Sequence, residues 1–547
     1  MALERPLRAN MGRYKADVVI VGGGIAGIVS AFDLLRLGKR VLIVDRDSEA
    51  NFGGLAKESF GGIWLVDTPE QRRFGIKDSP ELALQNWLSF GEFGTDGGVN
   101  DHPRRWAEAY VADCRRDVYD FLKGNGIGFL PMPLWVERGL YGNGNAVPRW
   151  HIVWGTGHRL ATRLIEVLRG HSDAGKLELL FDHRVERLEV AAGRITGVSG
   201  TTEVGHAAFT VEAESTIIAS GGINGDIARV KANWHPDWDR PPQTILNGSH
   251  QFSDGLMHDV AAAHGGQLTH LDRMWNYAAG VHHWRPRKPD HGLSLVPSRS
   301  ALWLNWRGER FGPMPLVGGF DTRDLVGRIC AEERGYSWQV LSRKIALKEL
   351  AISGAEFNPN VRERNVRGFV VDTLFGNRWL YDQMTKNCAD VVVAETLPEL
   401  VAKMNALQGD NAVDEAAVRA SVASYDSEID RGPALYNDEQ LRRIAHLRRW
   451  KGDRLRIANF QKIIEPGTGP LMAIRLFIVS RKSLGGIRSD LSARVVDGGG
   501  APIAGLYAIG EAAGFGGGGM NGLRALEGTF LGGCIYSARR AARAIGR

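Results

Sequence analysis

The first strong pattern along the chain is a short apolar run rich in β-branched residues, Ala16-Asp17-Val18-Val19-Ile20-Val21. A mostly apolar run over so few residues is what a strand buried on both faces of a parallel sheet requires. Three glycines follow, and residues 28–37 then predict a helix closed by Gly38. A second apolar run, Arg40-Val41-Leu42-Ile43-Val44, ends at Asp45. The same grammar returns twice. Residues 211–222, VEAESTIIASGG, predict a strand ending in paired glycines, and Gly505-Leu506-Tyr507-Ala508-Ile509-Gly510-Glu511 repeats the motif near the C-terminus. One sheet built from both ends of the chain is therefore expected. Between them, residues 267–454 form an insertion rich in Trp and His, with helical stretches predicted at 340–352 and 413–429.

The strand-helix-strand unit at the N-terminal end spans about 30 residues, the length of a dinucleotide-binding unit. Each of its special residues has a mechanical reason. Gly22 permits the tight turn off the strand, Gly24 lets a pyrophosphate approach the backbone, and Gly27 lets helix and strand pack closely. The helix then points its positive dipole end at the phosphates. Asp45 stands twenty-one residues after Gly24, where a carboxylate accepts hydrogen bonds from a ribose. This much does not separate FAD from NAD. The next segment, Gly53-Gly54-Leu55-Ala56-Lys57-Glu58-Ser59-Phe60-Gly61-Gly62-Ile63, could lie along a second, larger ring system, whereas a nicotinamide enzyme would continue with a plain helix-strand repeat.

Composition sharpens that picture. The chain has 69 glycines in 547 residues, where average usage would give about 38. They cluster at 22–24, 53–54, 61–62, 221–222, 485–486 and 516–519, without Ser and Pro beside them, which points to backbone contacting one large ligand from several places. At 547 residues more than one lobe is expected. No stretch reaches the roughly 18 apolar residues of a membrane span, and residues 1–14 lack the apolar core of a secretory signal. Cys114, Cys330, Cys388 and Cys534 stand far apart, with no CxxC, so a reducing compartment, the cytoplasm, is expected. The net charge of +6 is spread along the chain, and no nucleic-acid-binding signature occurs. Leu441 to Lys451 alternates basic and apolar residues. It reads as a solvated surface helix, with peripheral membrane contact as the alternative. No HExxH or facial triad occurs, so no catalytic metal is expected.

Several separated motifs, in order, resemble the flavoprotein superfamily of soluble fumarate reductases, succinate dehydrogenase flavoprotein subunits and 3-ketosteroid Δ1-dehydrogenases. They are VVIVGGGIAGIVSA with VLIVDRD, GGLAKESFGGI, IIASGGINGD, Ser253-Asp254-Gly255-Leu256-Met257, SLGGIRSD and GLYAIGEAAG. The resemblance implies FAD and an α/β fold: a Rossmann-like FAD-binding domain built from both ends of the chain (1–266 and 455–547), with an inserted α+β capping domain (267–454). The expected cofactor-binding residues are Gly22, Gly24, Ile25, Ala26, Gly27, Asp45, Arg46, Gly53, Gly54, Ser59, Gly61, Gly62, Val185, Gly221, Gly222, Gly510, Glu511, Gly528 and Thr529. No histidine lies between Asn51 and Ile63 where the membrane-type enzymes attach their flavin, so FAD is expected to be noncovalent. Asn521 stands where fumarate reductases have their substrate histidine, and Arg524 is one place early.

Chemistry at a flavin needs a proton donor or acceptor beside the hydride, and donors to hold a developing enolate. Arg323, in a stretch similar to the reductases' TRD, is the first candidate for the acid/base. Tyr141 lies in a region where ketosteroid dehydrogenases place a tyrosine, and Tyr277 is the third candidate. His151 and His158 flank Gly155-Thr156-Gly157 and could stand near the flavin. The glycines at 516–519 could offer N–H groups to a carbonyl oxygen. No second strand-GxGxxG-helix unit exists for a pyridine nucleotide, so electrons should pass to a diffusible or protein acceptor. The expected function is an FAD-dependent oxidoreductase acting on a CH–CH bond next to a carbonyl of a bulky apolar ketone such as a 3-ketosteroid. The alternatives are reduction of a small enoate, amine or hydroxyl oxidation, and non-catalytic FAD binding.

Overall fold

The protein is described by a computed structural model covering residues 12–95 and 97–547; most of the segment read for a secretory signal lies outside the described residues. Two large sheets organise the chain. In the first, Gly12–Val21 lies between Ala208–Ile218 and Val41–Val44, with Leu177–Leu180 and Pro502–Ala508 outside them, all parallel. Strands from both ends of the chain thus share one sheet. A hairpin, His183–Ala191 with Arg194–Thr202, adds antiparallel to Ala208–Ile218. Val18 to Val21 are buried because helices cover one face of the parallel strands and the hairpin with Leu256–Ala263 covers the other. The helix Ile25–Arg36 and the C-terminal helix Thr529–Ile545 share one apolar core beneath this sheet. Gly38 closes the first helix in the left-handed region, at φ +75°.

The second sheet has the order Leu302–Leu304, Ser337–Ser342, Leu471–Ser483, Met274–His282, Gly292–Val296, Ala351–Ile352. Val391–Ala394 and Ile245–Asn247 also pair with Leu471–Ser483. The expected limits of the insertion, 267–454, leave out two of these strands, Ile245–Asn247 and Leu471–Ser483. The second is the thirteen-residue backbone of the whole sheet. Its last residues run directly into Ser483-Leu484-Gly485-Gly486 beside the first sheet's ligand-facing edge, so a single strand links the two halves of the molecule.

Two helical expectations turn out differently. Residues 340–352 divide into the strand Ser337–Ser342, the seven-residue helix Arg343–Glu349 and the strand Ala351–Ile352. The apolar spacing there suits either element, and burial of the whole of Ser337–Ser342 between neighbouring strands decides for the sheet. The other helix forms as Glu415–Asp430, capped by the Asp414 side chain. In Glu439–Leu447 the apolar residues Leu441, Ile444 and Leu447 are buried in the core of the second sheet's layer. That face is spent on packing and does not present itself to a lipid surface. Among the described residues no helix is long and apolar enough to cross a membrane, and all four cysteines are unpaired.

Candidate active site

The carboxyl ends of the parallel strands open onto a cleft of about 1560 Å³, partly open to solvent. This is where an open α/β sheet binds its ligand. Gly22, Gly24, Ile25, Ala26, Asp45, Arg46, Gly53, Gly54, Ser59, Gly61, Gly62, Val185, Gly221, Gly510 and Glu511 all line it. The helix Ile25–Arg36 begins at Gly24 with no side-chain cap and no acidic residue in its first turn. Its N–H groups and positive dipole end are therefore available to an anion. A Cβ at Gly24 would meet nothing within 4 Å, because that face looks into the cleft. Asp45 accepts from Gly23 N at 2.8 Å and from Asp47 N at 2.9 Å, which holds its carboxylate at the cleft wall. Arg46 is fixed by Asp254 and Glu203 and stacks on Phe252.

Four residues of the expected cofactor set act from behind the wall. A Cβ on Gly27 would lie 2.1 Å from the Gly22 carbonyl oxygen, so glycine there is what lets helix and strand touch. A Cβ on Gly222 would lie 2.6 Å from Glu511 Oε1. Gly528, at φ +99°, and Thr529 start the C-terminal helix, where the Gly528 carbonyl accepts from Trp64 N at 2.8 Å. Two donors in the cleft wall have no partner among the described residues, Arg481 Nε and Trp150 Nε1. A dipole-bearing turn of glycines, a carboxylate at the ribose position and unpaired buried donors fit a dinucleotide with a polar ring system.

Phe60, Trp150, Tyr277, Ser353 and Glu527 line both this cleft and a second cavity beneath the other sheet. The second cavity has apolar walls that include Leu134, Val136, Leu295 and Ile352. At the junction the Tyr277 hydroxyl donates to Glu527 Oε2 at 3.0 Å. Burial, and then the neighbouring Glu527 carboxylate, push the Tyr277 hydroxyl well above its ordinary pKa. Lys482 stands over the Phe530 ring at 4.1 Å and the Tyr277 ring at 5.7 Å, and burial lowers its pKa. Burial likewise raises the Glu511 carboxyl.

The other acid/base candidates lie elsewhere. Tyr141 is 78% exposed and lines neither cavity. Arg323 is 6% exposed but also lines neither: its Nη2 reaches Asp237 at 2.9 Å and His235 at 3.0 Å, and it stacks on Trp238. Its helix, Thr322–Cys330, turns Thr322 and Leu325 into the second cavity. A residue one place after Thr322 points about 100° away from it, toward a different neighbour. His151 is buried between Thr68 Oγ1 and the Arg149 carbonyl, where burial lowers its pKa to about 4, and His158 lines neither cavity. The N–H groups of Gly516 to Gly519 are all engaged by Ala513, Ser489 or Gly516. They cannot hold a carbonyl oxygen. Arg524 is paired to Asp321 and Glu92. Glu527, Trp150 and Lys482 were not singled out from the sequence, since each sits outside a glycine motif and only the fold brings them to one wall.

A parallel sheet whose glycine turns line a dinucleotide cleft, joined to a second cavity at a buried tyrosine, defines an FAD-dependent dehydrogenase. The chain belongs to the FAD binding domain family, whose model matches residues 17–531. It is 41% identical over 548 residues to a KsdD-like steroid dehydrogenase of Mycobacterium tuberculosis, covering 96% of this chain and 95% of the relative. The fold is similar to 3-ketosteroid delta1-dehydrogenase from Sterolibacterium denitrificans, with a TM-score of 0.70 at 16% identity, covering 97% of this chain and 99% of that one. It is also similar to 3-ketosteroid-delta4-(5alpha)-dehydrogenase from Rhodococcus jostii, with a TM-score of 0.63 at 19% identity, covering 99% and 98%.

Proposed function

We propose that the protein dehydrogenates a CH–CH bond next to the carbonyl of a 3-ketosteroid or similarly bulky ring ketone, with FAD held noncovalently. The observation that carries this reading is the Tyr277–Glu527 pair at the junction of a glycine-lined cleft and an apolar cavity. FAD, when bound, supplies the hydride acceptor. The chain's own residues handle the proton. The Tyr277 oxygen takes the proton from the carbon beside the carbonyl as its own proton passes to Glu527, 3.0 Å away. Trp150, in the wall shared by both cavities, stands beside the place this reading gives the substrate, with its Nε1 unpartnered among the described residues and packed against Gly62. Phe60, Leu134, Leu295 and Ile352 exclude water around the ring body. The steroid dehydrogenase named among the relatives supports the substrate class.

Electrons then leave to a diffusible or protein acceptor. We place the protein in the cytoplasm, on the strength of its four unpaired cysteines. Reduction of a small enoate is less well supported, because Arg524 is already tied to Asp321 and Glu92. The purified holoenzyme should be yellow, should release its flavin on acid precipitation, and should bleach anaerobically with a saturated or 4-ene 3-ketosteroid. A flavin that stays oxidised with a full panel of ring ketones but reoxidises with fumarate after chemical reduction would sink the steroid reading.

A further inference from the structure

The second cavity is not apolar throughout. Arg299, Glu349, Asp453 and Arg456 line it and do not line the glycine cleft. Asp453 and Glu349 face both arginines and are also held by other partners. Asp453 is engaged by Arg138 in a buried ion pair, and Arg138 is fixed in turn by stacking on Trp135 at 4.0 Å. Glu349 accepts from Ser300 N at 3.0 Å, Ser300 Oγ at 2.5 Å and Ala458 N at 2.7 Å, which spends most of its acceptor capacity on the fold. Glu137, also in the wall, accepts twice from Thr322, and burial pushes its carboxyl up to about 8, toward the uncharged form. Arg299 donates to the Pro297 carbonyl. Arg456, at the end of the helix Lys451–Arg456, makes no hydrogen bond or salt bridge with any described residue.

The guanidiniums of Arg138, Arg299 and Arg456 share the carboxylates of Asp453 and Glu349, which favour the charged arginines against the effect of burial. The Arg299 and Arg456 side chains are both part-exposed in the cavity wall, so water solvates them there until a bound anion replaces it. Burial lowers the pKa of both Arg299 and Arg456, and Arg299 itself adds to the lowering at Arg456. An arginine pair with free N–H groups, facing an otherwise apolar space, matches a carboxylate in geometry and charge.

We propose that Arg299 and Arg456 bind a carboxylate on the substrate, so that the preferred substrates are ring ketones with an apolar body and an acidic tail. This rests on the dehydrogenation reading of the junction, which assigns the ketone end to Tyr277. The ketone, the apolar rings and the acid then meet, respectively, the Tyr277–Glu527 pair, the Leu134, Leu295 and Ile352 wall, and the arginines. A neutral steroid would bring no anion to the arginines.

The test is calorimetry on the holoenzyme with a 3-keto-4-ene steroid carrying a carboxyl-terminated side chain, and with its methyl ester. The acid should bind about 10- to 100-fold more tightly than the ester, the range for a charged hydrogen-bonded contact. In Arg456→Met that acid-to-ester ratio should collapse to about one, and in Arg456→Lys part of it should survive. The ratio cancels any general loosening of the cavity. Equal affinities in the unaltered protein, a ratio that survives Arg456→Met, or no binding of the acid would each overturn the proposal. Flavin bleaching is read separately. Tight acid-selective binding without bleaching keeps the arginine site and defeats the dehydrogenation reading, whereas equal bleaching and equal binding by acid and ester does the reverse.

Discussion

The two cavities that meet at Tyr277 are made from different materials. The glycine-lined cleft is a backbone site: its wall is Gly22, Gly24, Gly53, Gly54, Gly61, Gly62, Gly221 and Gly510, with Asp45 as its fixed carboxylate. The second cavity is a side-chain site, walled by Leu134, Leu295, Ile352, Trp150 and a set of buried charges from segments hundreds of residues apart. Backbone turns of this kind recognise what every member of a cofactor class shares, phosphates and a ribose, and leave few side chains there to vary. A side-chain site can be rebuilt one residue at a time around a fixed cofactor. On the proposed reading, substrate choice lies in the second cavity and cofactor choice in the first, with the chemistry at the wall they share.

The largest expected effect tests that shared wall. Tyr277→Phe keeps the ring against Trp275 and removes only the hydroxyl that faces Glu527. Turnover of an established substrate should fall by roughly 10²- to 10⁴-fold, the range for losing a general acid or base. Flavin content, measured by the absorbance of the bound cofactor, should stay the same. Near-normal turnover would move the proton transfer away from the junction.

The next effect tests the backbone site. In Gly27→Ala the new methyl would have to share space with the Gly22 carbonyl 2.1 Å away, pushing the helix off the strand that presents the phosphate turn. Overpacking of this kind costs about 1–3 kcal/mol, and here it should appear as FAD-poor protein whose substrate cavity is unaltered. Retention of full flavin by the variant would show that close helix–strand contact is not what shapes the cleft.

A third effect concerns the side-chain site and depends on pH. Burial raises the Glu137 carboxyl from an ordinary 4.5 to about 8. Between those values the folded protein holds a proton that the unfolded chain releases, so the folded state binds more protons and this contribution to stability declines as pH rises. It is fully present below about pH 4.5 and is lost on passing pH 8. Glu137→Gln has no such proton. Its stability relative to the unaltered protein should rise from pH 5 to pH 8, by at most about 1.4 kcal/mol per pH unit, in denaturant titrations at the two pH values. A pH-independent difference would place a charged Glu137 in the wall and count against the proposed anion site at Arg456.

Much of the backbone site was legible in the sequence because its physics is local. A strand that must be buried on both faces, a turn that needs positive φ and a helix that must start without a side-chain cap all leave their marks within thirty consecutive residues, from Ala16 to Asp45. The acid/base was not legible in that way. The sequence ranks Arg323 first and Tyr141 second, on likeness to family motifs alone, and Tyr277 third. What separates them is a helix phase of about 100° per residue that turns Arg323 toward Asp237, a loop that leaves Tyr141 in solvent, and a strand that brings Tyr277 to Glu527, 250 positions away. The carboxylate-facing arginines were invisible for the same reason. Arg299 and Arg456 become a pair only when Leu471–Ser483 draws the second sheet together, and their charge acquires meaning only from where Asp453, Glu349 and Glu137 spend theirs. The dinucleotide fingerprint and the sheet that carries it were readable along the chain, because glycine spacing and strand burial are properties of neighbours in sequence. Which side chains meet at the junction of the two cavities followed only from the fold, because burial, pairing and the direction of a side chain are properties of neighbours in space.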